Sequence, residues 1–369
     1  MGLAIASFAK RLFSPPAAGP IVREPNRRWS RGLAASPLLR LKVAEVIVET
    51  PSTRTFVLEG EGLRYRAGQH LTLVVGVDGR TVRRCYSFSS SPSAAARPSI
   101  TVKRVEGGVL SNWLHDHVRA GDVLRATPAL GDFTVEPDAS ASRHCVMVAG
   151  GVGITPVLGM AETLLREEER SRVTLLYGSR SEDEIIFRDR LDAMALEFAG
   201  RFEVVLALDA ATGNWTGLVG VLDGKRVVST VGERRIDEWF VCGPAPMMDS
   251  VVAALGSAGV ADERIHLERF QYAETSTVTM PASPATLVFR ASGVKATARV
   301  GSTILEAAEL AGVTLPSSCR MGGCGACKVK VDGRVVAAEP NCLTGQEKAE
   351  GYVLACCSYG DGRVELRDF

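Results

Sequence analysis

The chain has 369 residues, 46% of them hydrophobic and 23% charged, with a formal net charge of +1. This is the make-up of an ordinary globular protein long enough for two or three cores, and it gives no field for nucleic acid. No run of about eighteen apolar residues occurs, so no membrane-spanning helix is expected.

Residues 1–36 stand apart as a basic, proline-containing extension. Lys10, Arg11, Arg23, Arg27, Arg28 and Arg31 face the single acid Glu24, and Pro15, Pro16, Pro20 and Pro25 forbid a long helix. The first thirteen residues read either as a short amphipathic basic helix for an anionic surface or partner, or as a tail with little order. On the first reading, residues 1–31 offer peripheral contact with the inner face of a membrane.

From Leu39 the pattern turns to short strands, at 41–48, 53–58, 70–75 and 99–104, separated by turn residues such as Asp78-Gly79. Close spacing of this kind predicts a small antiparallel barrel. Within it, Arg84-Cys85-Tyr86-Ser87 places a cation and an aromatic ring two residues apart on one strand face, suited to a phosphate and a flat ring. Gly107-Gly108-Val109-Leu110-Ser111 then opens a helix whose first N–H groups can receive a pyrophosphate. Taken singly, each stretch is no more than a strand pair or a helix start. Together and in this order they resemble the "RxYS…GxxS" flavin signature of the ferredoxin-NADP reductase superfamily. The resemblance implies that Arg84, Tyr86, Ser87, Gly107, Gly108, Val109, Leu110 and Ser111 contact FAD, rather than FMN, with Ser87 also at the reacting end. Leu130-Gly131-Asp132-Phe133 matches the motif that closes such a domain.

At Arg143 strands and helices begin to alternate. Cys145-Val146-Met147-Val148-Ala149 runs into Gly150-Gly151-Val152-Gly153-Ile154-Thr155-Pro156, and apolar residues then recur at helical spacing. Strand, glycine turn and helix is the arrangement that cradles a dinucleotide pyrophosphate, and Pro156 sits early enough in the helix to be tolerated. A second strand ends in Gly178-Ser179-Arg180, and a later one in Cys242-Gly243-Pro244-Ala245-Pro246-Met247. These three stretches resemble the nicotinamide-domain signatures of the same superfamily. By that resemblance Gly151, Gly153, Thr155, Pro156, Gly243, Pro244 and Met247 bind the dinucleotide, and Cys242 lies near the nicotinamide as a catalytic residue. Ser179 and Arg180 suit a ribose 2′-phosphate, so NADPH is expected in preference to NADH.

A Ser/Thr/Pro-rich tether follows at 273–284, then a hairpin, a helix from Thr303 to Ala311, and Cys319-Arg320-Met321-Gly322-Gly323-Cys324-Gly325-Ala326-Cys327. C-x4-C-x2-C with a further cysteine about thirty residues on is the spacing of a plant-type [2Fe–2S] ferredoxin. Soft thiolates hold iron and sulfide; a zinc site would show paired C-x2-C knuckles instead, and a disulfide scaffold would be small and secreted. Cys356 and Cys357 compete for the fourth place, since neighbours in a strand face opposite ways. Gly351-Tyr352-Val353-Leu354-Ala355-Cys356 resembles the run of these ferredoxins whose cysteine is the ligand, which favours Cys356. The implied ligands are thus Cys319, Cys324, Cys327 and Cys356, and Cys342 is expected to be a small buried or loop residue. Nine cysteines, four of them in a cluster, suit a reducing compartment and hence the cytoplasm.

The expected architecture is multidomain. After the extension comes an antiparallel β-barrel flavin domain (37–138), then an α/β parallel-sheet nucleotide domain (139–272), the tether, and a β-grasp ferredoxin domain (285–369). The resemblance implies a reductase component, similar to those of phenylacetyl-CoA epoxidase, ketosteroid hydroxylase, phthalate dioxygenase and membrane desaturase systems. Such a protein passes electrons from NAD(P)H through flavin and cluster to a partner oxygenase, hydroxylase or desaturase. Two alternatives stay open: a reductase for another acceptor, such as a hybrid-cluster protein, and a redox-responsive regulatory subunit.

Overall fold

The computed structural model describes residues 38–368, apart from 78–79, 95–96, 212, 271–277, 318–319, 321, 324 and 340. The basic extension, part of the tether, and the expected ligands Cys319 and Cys324 lie outside the described residues. The described chain forms two compact units, one of residues 38–129 and 133–270, the other of 130–132 and 278–368. None of its helices is long and apolar enough to cross a membrane.

The first unit begins with six antiparallel strands: β1 (Leu39–Thr50), β2 (Thr53–Glu59), β3 (His70–Val77), β4 (Arg80–Ser87), β5 (Ser99–Lys103) and β6 (Val123–Ala126). They are ordered β4-β3-β6-β1-β2-β5. The two outer strands meet where Phe88 bridges Ile100 and Ser89 N–H donates to the Ser99 carbonyl at 2.8 Å, closing the sheet into a barrel. The long first strand carries register shifts at Val43/Glu45 and Val48/Thr50, irregularities of the kind that let a strand coil round a closed barrel. Leu41, Val43, Phe56, Leu58, Leu71, Leu73 and Ile100 fill the interior without exposure. Helix α1 (Val109–His117) packs on β3 and β4 and buries Leu110 and Leu114.

The second sheet of this unit is parallel throughout. Its strands are β7 (His144–Gly150), β8 (Arg172–Ser179), β9 (Phe202–Leu208), β10 (Leu218–Val219), β11 (Glu238–Cys242) and β12 (Ile265–Glu268), in the order β10-β9-β8-β7-β11-β12. Alternation along each strand serves both faces, as a sheet covered on two sides requires. Cys145, Met147 and Ala149 face α2 (Ile154–Glu167) and α3 (Arg188–Glu197). Val146, Val148, Trp239 and Val241 face α4 (Gly224–Val231) and α5 (Ala245–Ser257). The chain winds outward from β7 through β8, β9 and β10, then returns to the other side of β7 as β11 and β12. That reversal opens a crevice beyond the carboxyl ends of β7 and β11, the place where open α/β sheets bind ligands.

Barrel and parallel sheet are locked together by side chains from both. The Ser91 and Thr163 hydroxyls are 2.7 Å apart and buried, the Arg190 guanidinium donates to the Ser89 carbonyl at 2.7 Å, and Phe133 meets Phe240 edge to face. A methyl on Gly159 would lie 2.9 Å from the Ser90 carbonyl oxygen, so α2 runs directly against the residues that follow β4.

The second unit has a five-stranded mixed sheet of β13 (Ala285–Phe289), β14 (Val294–Ala298), β15 (Lys328–Ala337), β16 (Tyr352–Leu354) and β17 (Ser358–Asp368), ordered β14-β13-β17-β15-β16. β13 and β17 are parallel and every other pair is antiparallel, the expected β-grasp order. Helix α6 (Ile304–Leu310) starts with a capping box in which Thr303 and Glu306 satisfy each other's backbone N–H groups. Its Ile304 and Leu305 pack with Leu287, Phe289, Val329, Leu354 and Val364. A second capping box, Thr344 with Glu347, starts the short α7 (Gly345–Ala349). One expectation is corrected: Ala355–Cys357 is a 3-10 turn and not extended strand.

Candidate functional site

The flavin-type residues come together at β4 and the start of α1. Arg84 and Tyr86 stand on one face of β4, opposite Leu73 and Leu71 of β3, and Ser87 pairs with the buried His70. The Arg84 guanidinium donates to the Arg83 carbonyl at 2.9 Å and meets no carboxylate among the described residues, which leaves its charge for an anion. Burial pushes the Tyr86 hydroxyl well up, against the opposing pull of Arg84, so it is neutral.

The turn before α1 is built to admit a ligand closely. Gly107 has φ 69, in the left-handed region. A methyl on Gly108 would lie 2.6 Å from Ser111 Oγ and 2.9 Å from Val105 Cβ, so only glycine fits. The Ser111 hydroxyl accepts the Val105 N–H at 3.3 Å and holds that turn. No side chain caps α1, so the first N–H groups, at Val109 and Leu110, are available to an anion. A phosphate-bearing cofactor fits this donor set: one arginine without a carboxylate, an aromatic face, and a glycine cradle at a helix start.

The nicotinamide-type residues converge on the crevice between β7 and β11. A methyl on Gly153 would lie 2.2 Å from the Cys242 carbonyl oxygen, and one on Gly243 would lie 2.9 Å from the Gly150 nitrogen. One on Gly150 would meet Pro244 and Met247 at 2.7 and 2.8 Å. The two turns are thus in backbone contact. Gly151 is left-handed at φ 53, and the Thr155 hydroxyl donates back to the Val152 carbonyl at 3.0 Å, closing the loop under α2. Pro156 is buried in the first turn of that helix, and α5 starts beside it with Pro244 at its cap. Two helix N-termini therefore open at one crevice.

Cys242 is wholly buried, and burial pushes its thiol well up, with Glu268 adding to the effect. The register of β11 with β12 sets Glu268 directly beside it. Burial of this kind disfavours the thiolate. Glu268 is beyond the reach of sequence patterns because only strand register brings it to this site.

At the end of β8, Ser179 is buried and Arg180 is exposed. Their carbonyls accept N–H groups of Asp209 and Ala210, each at 3.0 Å. Arg180 forms no ion pair among the described residues. The residues that follow Ser87, from Phe88 to Ser91, leave β4 and run against α2, so the strand bearing the flavin-type residues leads directly to the helix that follows the glycine loop.

In the second unit, Cys327 and Cys356 are both buried, at 3% and 8% exposure. The Cys327 carbonyl accepts the Ala355 N–H at 3.0 Å, tying the start of β15 to the turn that carries Cys356. Gly322, left-handed at φ 78, donates its N–H to Cys356 Sγ at 3.2 Å and accepts the Cys342 N–H at 3.1 Å. Arg320 is also left-handed, at φ 58, and a bidentate ion pair with Glu309 of α6 pins it. Buried thiols met by a backbone N–H on a glycine-rich loop fit a thiolate-bound iron–sulfur cluster, whose potential such donors tune.

Three family models match the chain in order: an oxidoreductase FAD-binding domain over residues 39–135, an oxidoreductase NAD-binding domain over 147–253, and a 2Fe-2S iron-sulfur cluster binding domain over 289–360. The chain is 36% identical to one of the subunits of 1,2-phenylacetyl-CoA epoxidase from Escherichia coli K12, across 86% of its own length and 93% of the relative's. It is 34% identical to the ferredoxin reductase component of 3-ketosteroid-9-alpha-monooxygenase from Mycolicibacterium smegmatis, across 87% and 94%. Among solved structures, phthalate dioxygenase reductase superposes with a TM-score of 0.57 at 25% identity, covering 90% of this chain and 98% of that one.

Proposed function

The chain belongs to the family of reductase components that join an FAD-binding, an NAD-binding and a 2Fe-2S domain, and we propose that it draws electrons from NADPH for a partner oxygenase, hydroxylase or desaturase. One observation carries the reading: glycine turns in backbone contact at the end of the parallel sheet, a glycine turn before an uncapped helix beside β4, and buried thiols on a glycine loop occur in a single chain. When bound, the flavin takes a hydride from the nicotinamide and the cluster passes electrons on singly.

The chain's own residues hold these groups in order. Arg84 neutralises the flavin pyrophosphate with the N–H groups of the Gly107–Ser111 turn, while the Tyr86 ring packs on the cofactor and Ser87 stands at its reacting end. Gly151, Gly153, Thr155, Pro156, Gly243, Pro244 and Met247 form the floor for the dinucleotide. Cys242, buried at the end of β11, would lie near the nicotinamide. Ser179 and Arg180 take the ribose 2′-phosphate; an exposed arginine at the end of the second strand, with no carboxylate partner among the described residues, favours NADPH. Cys319, Cys324, Cys327 and Cys356 hold the cluster.

From 285 to 369 the sequence has ten Lys or Arg and nine Asp or Glu, so no strong field steers this domain to its donor. Tethering supplies the high effective concentration that charge would otherwise have to provide. A reducing cytoplasm suits the cysteine content, with Met1–Arg31 as the segment for membrane contact.

The test is Cys324→Ala. The variant is expected to keep flavin reduction by NADPH and to lose the reduced [2Fe–2S] signal together with electron delivery to an acceptor protein. An unchanged cluster spectrum would remove the ligand set.

A further inference from the structure

Cys357 has no place in the four-cysteine pattern, yet its position is specific. In a strand its side chain would point away from that of Cys356. In the 3-10 turn Ala355–Cys357, with three residues per turn, successive side chains are only about 120° apart. Both thiols therefore come up against one residue of the cysteine loop. Gly322 donates its N–H to Cys356 Sγ at 3.2 Å, and a methyl on Gly322 would lie 2.8 Å from Cys357 Sγ. The turn is pinned at both ends, by Ala355 N–H on the Cys327 carbonyl at 3.0 Å and by Ala338 N–H on the Cys357 carbonyl at 2.8 Å. Neither bond uses a cysteine side chain, so the turn persists when one thiol is removed.

Resting on the cluster reading above, we infer that Cys357 is a second thiol within reach of the fourth ligand position, able to bind iron in place of Cys356. The chemistry is simple: both residues supply a thiolate sulfur, the donor that iron–sulfur clusters take, and exchange needs a rotation within one pinned turn. Cys342 is less suited. Its thiol lies nearer Gly325, 3.8 Å from the point where a methyl there would stand.

The experiment reconstitutes the full-length protein anaerobically as wild type, Cys356→Ala, Cys357→Ala, the double alanine variant and Cys327→Ala. Bound iron and sulfide, visible circular dichroism and the reduced-state EPR signal are then measured. Alanine is chosen because a serine oxygen can itself bind iron; Cys356→Ser is run alongside as the variant closer in volume, to guard against a collapsed turn. The expected result is a wild-type spectrum for Cys357→Ala, retained iron and sulfide with shifted dichroism and EPR for Cys356→Ala, and loss of the cluster in the double variant. Cys327→Ala loses the cluster.

Loss of the cluster in both Cys356→Ala and Cys356→Ser, with wild type intact, overturns the inference. So does retention in the double variant, or loss in Cys357→Ala alone. A wild-type protein that takes up no cluster overturns the underlying reading and this inference with it, and so separates the two failures.

Discussion

Gly153 and Cys242 touch through their backbones: a methyl on Gly153 would sit 2.2 Å from the Cys242 carbonyl oxygen. The contact joins the glycine loop after β7 to the turn after β11 and sets the width of the crevice between them. Gly153→Ala must push the two turns apart, at the roughly 1–3 kcal/mol that overpacking costs. Steady-state kinetics with an artificial acceptor are expected to show KM for NADPH raised about tenfold, within that range, with flavin content unchanged. Unaltered KM would mean that the loop does not bind the dinucleotide.

Arg180 carries the choice of donor. A hydrogen bond to a charged group is worth about 1.5–3 kcal/mol, so Arg180→Ala is expected to lower kcat/KM for NADPH by roughly 10- to 100-fold while NADH changes by less than about twofold. Equal loss with both donors would remove the 2′-phosphate assignment.

The opposite end of the parallel sheet carries a structural prediction with a pH signature. Burial alone would raise the Glu238 carboxyl, but the His266 hydrogen bond at 3.0 Å and the Arg143 ion pair outweigh it and hold it below its ordinary 4.5. A carboxylate whose folded pKa is depressed stabilises above its unfolded pKa and loses that contribution as pH falls through the folded value. Glu238→Gln is therefore expected to cost roughly 1–3 kcal/mol at about pH 7, as for a buried polar group that loses a partner. The difference from wild type should shrink below 4.5. Denaturant melts from neutral pH down to acid check this, and a cost independent of pH would mean that the pair contributes by packing and not by charge.

The chemistry is legible in sequence wherever it depends on local chain geometry. Glycines at 108, 153 and 322 are required by close approach or a left-handed backbone, and both demands leave a mark in sequence. The alternating pattern likewise foretells the barrel and the β-grasp sheet. What depends on register is not legible: nothing near Cys242 in sequence points to Glu268, nor near Ser87 to His70. Short elements escape as well, such as β6, with four residues, and β10, with two, since neither spans enough residues to establish a period. Valine and leucine ahead of Cys356 and Cys357 suggest a strand that runs on through both; the tight turn there follows from the tertiary pins on Ala355 N–H and the Cys357 carbonyl.

The proposed function requires that electrons from a nicotinamide reach a cluster at the other end of the chain. Its most direct test is an anaerobic titration of the purified protein with NADPH, and separately NADH, following the flavin absorbance and the reduced-cluster EPR signal together. Bleaching of the flavin with growth of a [2Fe–2S] signal, faster with NADPH, is the result this account expects. Bleaching with no cluster signal, even after dithionite, would contradict it and leave a flavoprotein whose C-terminal domain carries no electrons.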